Sequence, residues 1–137
     1  MNMVFTDSEL AYLRSQRLGR LATVAPDGTL QNNPVGFEVD ADAGTIVVRG
    51  RDLGNSRKFR NVQDNGTVAF VVDDILSTQP WVVRCLEMRG TAEALTGQEP
   101  PNPYFSHESI VIHPRRIISW GMEDGGGGEF SRRTVEG

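Results

Sequence analysis

The sequence predicts an antiparallel β-barrel, closed or nearly closed, with one or two short helices. About six segments have the composition of strands, and turn-forming residues separate several of them. No G-x-G-x-x-G motif follows a strand, which disfavours a doubly wound dinucleotide-binding fold. A length of 137 residues is typical of a single domain.

The first predicted element is a short helix. Thr6 and Glu9 have the spacing of a capping box, in which each side chain accepts a hydrogen bond from the other residue's backbone N–H. The helix is expected to end near Gln16, with Leu10 and Leu13 on one face.

Three strands separated by two turns follow this helix. The first strand is RLATVA, and the PDG segment after it forms a turn because Pro fixes φ and Gly accepts a positive φ. The second strand runs from about Thr29 to Val39, and the third is TIVVRG. Alternation along the second strand puts one set of residues on one face (Val35, Phe37, Val39) and another set on the opposite face (Pro34, Gly36, Glu38).

The segment LGNSRKFRN, residues 53–61, predicts a second helix of about ten residues. Asn55 or Ser56 would cap it, and Phe59 and Val62 would form its apolar face. The remaining strands are predicted in TVAFVV, WVVRCLEMRGTAEAL and SIVIHPRRIISWG.

The chain divides into a barrel domain, residues 1–122, and a Gly-rich C-terminal tail, residues 123–137. Within the tail, EDGGGGE cannot hold regular structure without a large loss of conformational entropy. We therefore expect the tail to be mobile or to be ordered only by contacts with the barrel.

Composition limits the partners and the compartment. A formal net charge of −4 and a pI near 5.1 argue against nucleic-acid binding, which needs a basic face. A single cysteine, Cys85, excludes an internal disulfide and fits a reducing compartment. No apolar run approaches the ~20 residues of a membrane span. We expect a cytoplasmic protein that binds neither nucleic acid nor membranes.

The sequence contains no recognisable catalytic or metal-binding constellation. His107 and His113 lack a second His or Cys at ligand spacing. Cys85 lies in a predicted strand with no neighbouring base, which favours a small buried hydrophobe over a nucleophile. We expect no catalytic side chain and no metal, so that any reaction depends on a bound cofactor.

The basic run at the start of the second helix is the first candidate site. Arg57 and Lys58 lie in the first turn, where the helix dipole disfavours cations unless an anion is bound. Together with the free N–H groups of that turn and the Ser56 hydroxyl, they could converge on a phosphate, with Arg49 of the preceding strand as a further contact. In this interpretation Asn61 lies on the same side of the helix. A solvated basic helix face is the alternative.

Two further features suit a ligand. Gln31 and Asn33 place amide donors and acceptors next to Pro34, in a strand whose Pro and Gly remove bulk from one face. This pattern fits the edge of a planar heteroaromatic ring, and a bent edge strand is the alternative. Gln79 and Trp81 flank Pro80, a pattern typical of an interface anchor, with a core aromatic as the alternative.

Four blocks occur in the order GRLATVAPDGTLQNNPVGF, NSRKFRN, EMRGTAE and IVIHPRRIISWG. Together they resemble the pyridoxamine-phosphate-oxidase-like split-barrel flavoproteins, over about Thr6 to Met122. Within that family the chain is most similar to the small actinobacterial-type branch that uses the deazaflavin coenzyme F-420. The resemblance implies a mainly β fold, a six-stranded antiparallel split β-barrel like that of FMN-binding proteins, with short helices. It also implies a homodimer with two cofactors in clefts between the subunits.

The resemblance also implies roles for individual residues. Ser56, Arg57 and Lys58 match the segment that binds the cofactor phosphate, and Arg49 matches a position near the ribityl–phosphate chain. Gln79 and Trp81 match positions where the partner subunit closes the cleft. The residues that match the strand along the tricyclic ring are Gln31, Asn33, Pro34 and Val35.

The function implied is hydride transfer from coenzyme F-420 to an unsaturated small molecule. The C-terminal segment with which the vitamin-B6-making oxidases hold their substrate is not matched, so we do not expect pyridoxamine phosphate oxidation. Two alternatives remain open: an FMN-binding reductase on the same barrel, and a non-catalytic cofactor-binding protein. The substrate depends on loops that the sequence cannot place, residues 75–80 and 97–106.

Overall fold

The computed structural model describes residues 4–122 and 130–135. Two helices and seven strands account for most of this part of the chain, and a single 3-10 turn, Leu53–Asn55, precedes the second helix. The elements are α1 (Asp7–Ser15), β1 (Leu18–Val24), β2 (Leu30–Asp40), β3 (Thr45–Val48), α2 (Arg57–Asp64), β4 (Thr67–Thr78), β5 (Trp81–Leu95), β6 (Ser109–Trp120) and β7 (Phe130–Thr134).

The strands form one antiparallel sheet in the order β3-β2-β1-β4-β5-β6-β7, and an additional β3–β6 pairing closes the first six strands into a ring. The split barrel predicted from the sequence is therefore confirmed. The two ends of β6 have different neighbours on one side. Residues 110–112 pair with β3, whereas residues 116–120 pair with β7.

Alternate residues of each strand point into the barrel and form its core, as the two-residue period of a strand requires. On β2 the inward set includes Val35, which is 6% exposed, and Phe37, whose ring packs edge-to-face on Phe70 at 5.3 Å. The fully buried side chains of the other strands include Ile46, Val48, Val72, Leu86, Met88, Ile110, Ile112 and Ile117.

The capping box predicted for α1 is present. The Glu9 N–H donates to Thr6 Oγ1 at 3.1 Å, and the Thr6 N–H donates to Glu9 Oε1 at 3.0 Å. The Glu9 carboxylate is nevertheless buried, because Arg133 of β7 donates to both of its oxygens, at 2.6 and 2.7 Å. The first helix is thus stabilised both by its own N-terminal capping box and by an ion pair with the distant C-terminal strand.

The C-terminal segment is in part a strand. Phe130–Thr134 pairs with β6, and the Arg133 guanidinium also donates to the Val4 carbonyl. Of the two arrangements expected for the tail, the described residues 130–135 show the one in which contacts with the barrel order the chain. The glycine run, residues 123–129, lies outside the described residues, and the division of the chain at residue 122 stays a prediction.

The β4–β5 hairpin is longer than expected, since β4 continues to Thr78 and β5 begins at Trp81. The Gln79–Pro80 peptide bond at its tip is cis. Within the described residues, no helix has the length and apolarity needed to cross a bilayer.

Candidate functional site

The start of α2 carries two cations whose side chains have no hydrogen bond or ion pair with a described residue. Ser56 is the N-cap: its hydroxyl oxygen accepts from the Phe59 N–H at 3.3 Å and donates to the Leu53 carbonyl at 2.6 Å. Arg57 is exposed and Lys58 is half-buried, and neither forms an ion pair or hydrogen bond with another described residue. The two cations and the N–H groups of Arg57 and Lys58 are therefore free to bind an anion, whereas the Phe59 N–H and the Ser56 hydroxyl proton are already donated within the cap.

The electrostatic surroundings of Arg57 come from the β1–β2 turn. The Thr29 N–H, which donates to Asp27 Oδ1 at 2.9 Å, holds the pKa of that carboxyl below its usual value, and Arg57 adds a smaller lowering. The turn is tight because Gly28 adopts a φ of +88°. Arg57 thus lies close enough to the tip of this hairpin to stabilise the charged form of Asp27.

Asn61 lies one helical turn from Arg57 and Lys58, as its spacing predicts, but its side chain is buried against the barrel. Its side chain is 2% exposed and donates to Thr23 Oγ1 at 3.0 Å and to Gln31 Oε1 at 3.3 Å. The other buried residues of α2 are Phe59 and Val62. Asn61 therefore fastens α2 to strands β1 and β2 and is unavailable to a ligand.

The four residues of β2 that were predicted to lie along a ring point to opposite faces of the strand. Gln31, Asn33 and Val35 alternate with the outward residues and point toward the barrel interior, and Asn33 Oδ1 is buried without a described partner. Only Pro34 presents its side chain on the outer face. A ligand on that face could contact the other three through their backbone alone. The Gln31 and Asn33 side chains are half-buried, and their predicted place along a ring edge stays a prediction.

The outer face of β2 is bare beside Pro34. A Cβ added at Gly36 would meet nothing closer than the Arg17 carbonyl oxygen at 4.0 Å. The sequence prediction that Pro and Gly remove bulk from one face is confirmed. An open groove therefore runs along the backbone of β2 at the height of Pro34 and Gly36.

A cleft of about 560 Å³ opens at this groove, over the outer face of β2 and β3. Its volume lies within the range usual for small-molecule sites. Three arginines and one carboxylate, Glu38, give it a positive balance. The lining residues are Gln16, Arg17, Gly36, Phe37, Glu38, Val47, Arg49, Gly50, Arg51, Pro101, Tyr104 and Phe105.

Arg49 is the most confined cation of this cleft. Its Nε donates to Glu38 Oε1 at 3.0 Å, and its Nη1 is buried without a partner among the described residues. A buried guanidinium nitrogen without an acceptor is costly, because it has lost its water. Arg49 is thus suited to an additional anionic or carbonyl acceptor. Arg49 lines the cleft and the Ser56–Lys58 segment does not.

One wall of the cleft comes from the β5–β6 loop, which sequence reasoning could not place. Ser106 fixes this loop: its N–H and hydroxyl both donate to the Gly50 carbonyl, and its oxygen accepts from the Leu53 N–H. Tyr104 is 62% exposed, and the Arg51 guanidinium lies 5.5 Å from its ring centroid. The ring of Phe105 stands edge-on to Tyr104 at 5.1 Å.

Gln79 and Trp81 lie at the tip of the β4–β5 hairpin and do not line the cleft. Trp81 is 65% exposed, which excludes the core aromatic alternative. Trp120 is 39% exposed and faces outward. A role for Gln79 and Trp81 in closing a partner's cleft stays a prediction.

The titratable groups offer little chemistry of their own. Burial, with smaller contributions from Asp73 and Glu87, raises the pKa of the Cys85 thiol, which disfavours the reactive thiolate. No group of three His, Cys, Asp or Glu side chains within residues 4–122 and 130–135 could hold a metal ion.

Comparisons with known proteins agree with this architecture. The family model described as pyridoxamine 5'-phosphate oxidase matches residues 5–122. A reductase of Streptomyces rimosus, the 5a,11a-dehydrotetracycline/5a,11a-dehydrooxytetracycline reductase, is 54% identical over 122 residues, which are 88% of this chain and 86% of that relative.

Solved structures show the same fold at low identity. A heme binding protein of Mycobacterium smegmatis superposes with a TM-score of 0.68 at 16% identity, over 96% of this chain and 59% of that one. A conserved hypothetical protein of Mycobacterium tuberculosis superposes with a TM-score of 0.67 at 21% identity, over 99% and 95% of the two chains. The chain therefore belongs to the pyridoxamine 5'-phosphate oxidase family, and its relationship to a reductase supports an oxidoreductase.

Proposed function

We propose that the protein is a coenzyme F-420-dependent reductase that delivers a hydride to an unsaturated carbon of a small molecule. The observation that carries this proposal is the pair of unpartnered cations, Arg57 and Lys58, at the N-terminus of α2. A cofactor phosphate is the kind of anion that such a helix start binds. The sequence resemblance to the deazaflavin branch selects the cofactor, and the reductase relative supports the reaction class.

The residues present fit a phosphate-bearing planar cofactor. Arg57 and Lys58 supply two charge-assisted donors, and the first turn of α2 supplies free N–H groups. The outer face of β2 beside Pro34 is open to a ring, and Arg49, predicted to contact the cofactor chain, lies in the cleft over β2 and β3. Of the ring-lining set, Pro34 offers its side chain, and Gln31, Asn33 and Val35 offer backbone only.

The protein's part in such a reaction is binding and orientation. When bound, the reduced deazaflavin supplies the hydride. Arg57 and Lys58 hold the anionic end, and the outer face of β2 fixes the plane in which a ring lies, which lowers the entropic cost of reaching a reactive geometry. The Cys85 thiol is half-buried with a raised pKa, and the Tyr12 phenol is held by Asp74 with a raised pKa. We assign the proton that completes the reduction to water.

The substrate class follows from the relative. Its printed name describes reduction of 5a,11a-dehydrotetracyclines, which carry a carbon–carbon double bond within a conjugated polycycle. We propose a substrate of that class, an unsaturated polycyclic compound.

We also propose that the protein is a homodimer. The register of β5, β6 and β7 aligns Cys85, Trp120 and Phe130 on the outer face, and Trp81 follows on the same face by alternation. Contiguous exposed apolar side chains of this kind usually mark a protein interface. Analytical ultracentrifugation should show a dimer that Trp120→Ser shifts toward monomer. A wild-type monomer at high micromolar concentration would contradict the proposal.

The central test is a titration of the purified protein with oxidised coenzyme F-420 and, separately, with FMN. Micromolar or tighter binding of the deazaflavin, and turnover of a dehydrotetracycline with the reduced coenzyme, are the expected results. Preferential binding of FMN would change the proposed cofactor to FMN and leave the proposed reductase activity unchanged. Tight binding without turnover over a panel of enones and quinones would favour a non-catalytic cofactor-binding protein.

The unpaired Cys85 supports a reducing cytoplasm as the place of action.

A further inference from the structure

The cleft over β2 and β3 has features that select a ligand by shape as well as by charge. Its floor is the bare backbone of Gly36 together with Val47, and one wall is the exposed ring of Tyr104. An aromatic wall facing a flat backbone floor favours a planar ligand, since a flat ring system can contact both surfaces at once.

The charges of the cleft select an acidic ligand. Arg17, Arg49 and Arg51 line it against a single carboxylate, Glu38. Among the described residues, Arg49 is the partner of that carboxylate, and its buried Nη1 has no acceptor there. The Arg51 guanidinium lies against the Tyr104 ring, 5.5 Å from its centroid, so that a ring and a cation are presented together.

The position of the cleft relates it to the proposed cofactor site. Pro34 and Gly36 share the outer face of β2, two residues apart. Arg57 lies near the β1–β2 turn, at the end of β2 that begins with Leu30, whereas the cleft covers the second half of the strand. The cleft therefore lies farther along the same strand than the proposed cofactor site.

We infer that this cleft is the substrate pocket, and that it binds a planar polycyclic ligand with an ionised enol or phenol oxygen. Tyr104 stacks on the ring system, and Arg51 and Arg49 pair with the oxygens. The inference rests on the proposed function, because it takes the ligand of this cleft to be the substrate. It goes beyond that function by assigning Tyr104 and Arg51 as the residues that determine specificity.

The experiment measures binding without any cofactor, so that it does not depend on the proposed function. Oxytetracycline, a stable fluorescent polycycle with acidic enol and phenol groups, is the probe, in EDTA to prevent metal chelation. Wild type should bind it, and Tyr104→Leu and Arg51→Gln should each weaken binding by about tenfold or more. Raising NaCl from about 50 to about 500 mM should weaken wild-type binding more than that of Arg51→Gln.

Two further variants distinguish the cleft from the proposed cofactor site. Gly36→Val places a side chain on the floor of the cleft, in a strand backbone that accepts it, and should abolish probe binding while the protein stays folded. The double variant Arg57→Ala, Lys58→Ala should bind the probe like wild type, although the proposed function requires it to lose the coenzyme. Near-UV circular dichroism verifies folding of each variant.

The possible results are distinct. Failure of wild type to bind oxytetracycline at millimolar concentration, or equal binding by Tyr104→Leu, Arg51→Gln and Gly36→Val, would overturn the assignment of the cleft. Probe binding that depends on these residues supports the assignment even if coenzyme F-420 does not bind. In that case the proposed cofactor is wrong, whereas the assignment of the cleft as the substrate pocket is supported.

Discussion

Arg133 in β7 and the Arg57–Lys58 pair in α2 are both cationic, yet the structure uses them in opposite ways. Arg133 donates to both oxygens of the buried Glu9 and to the Val4 carbonyl, and so joins the C-terminal strand to the first helix. Arg57 and Lys58 have no ion pair or hydrogen bond with any described residue and lie at the helix end that disfavours cations.

The difference separates structural charges from ligand-binding charges. A buried carboxylate requires a partner, so Arg133 is expected to contribute to stability and little to affinity. Two unpaired cations at a helix start add nothing to the fold, so their contribution should appear only when an anion binds. Arg49 has features of both, since one edge of its guanidinium is paired with Glu38 and Nη1 is left unpaired.

The largest effect is expected from Arg57→Ala combined with Lys58→Ala. Each charge-assisted phosphate hydrogen bond contributes roughly 1.5–3 kcal/mol, so coenzyme affinity should fall by about 100-fold or more. The free energy of unfolding should change little or rise slightly, because cations leave the helix start. Isothermal titration and urea unfolding measure the two quantities. The exposed Arg60→Ala, on the same helix, is the matched control; unchanged affinity in the double variant would move the phosphate site elsewhere.

Arg133→Ala should show the reverse pattern. Removing one partner of a buried ion pair leaves the other charge uncompensated, and we expect a loss of about 3 kcal/mol in the free energy of unfolding. Coenzyme affinity of the folded fraction should stay within about twofold of wild type. Arg132→Ala, the exposed neighbour on β7, should cost about 0.5 kcal/mol or less. Equal stability of the Arg132 and Arg133 variants would refute the structural role of the pair.

Asn61→Ala tests the attachment of α2 to the barrel. It removes the donor to Thr23 and Gln31 and leaves their oxygens without that partner, which should cost about 1–3 kcal/mol of stability. Because α2 carries the proposed phosphate site, a modest loss of coenzyme affinity should accompany it. Thermal unfolding with and without coenzyme separates the two effects, and a variant as stable as wild type would contradict the buried network.

The smallest effect concerns acid stability. Hydrogen bonds from Arg84, at 3.0 and 2.7 Å, hold the pKa of Asp74 below its ordinary value, with a further lowering from the Tyr12 hydroxyl. A depressed folded-state pKa stabilises the fold above the unfolded value near 3.9, and this contribution disappears as the pH falls through the folded pKa. Asp74→Asn should therefore lower stability by about 1 kcal/mol or less near neutral pH and flatten its decline below about pH 4. Urea midpoints across that range measure it, and parallel curves for the two proteins would exclude the effect.

Much of the fold was predictable because its signals are local. The Thr6–Glu9 capping box, the PDG turn, the Ser56 cap and the alternation along β2 involve residues close in sequence, and each is found in the structure. The role of Asn61 shows where local reasoning stops. Its side of the helix follows from its spacing to Arg57 and Lys58, but its burial does not, because its partners Thr23 and Gln31 lie on other strands.

The sequence by itself determined the barrel, the caps and the cationic run of α2, because these depend on periodicity, backbone preference and adjacency in the chain. Only the tertiary structure decided where the cleft lies, that Gln31 and Asn33 point inward, and that Arg133 pairs with Glu9. Arg17, Arg51 and Tyr104 are far apart in sequence and line one cleft because the α1–β1 connection, the segment after β3 and the β5–β6 loop converge on one face of the sheet. Such convergence depends on long-range packing, which a one-dimensional pattern does not encode.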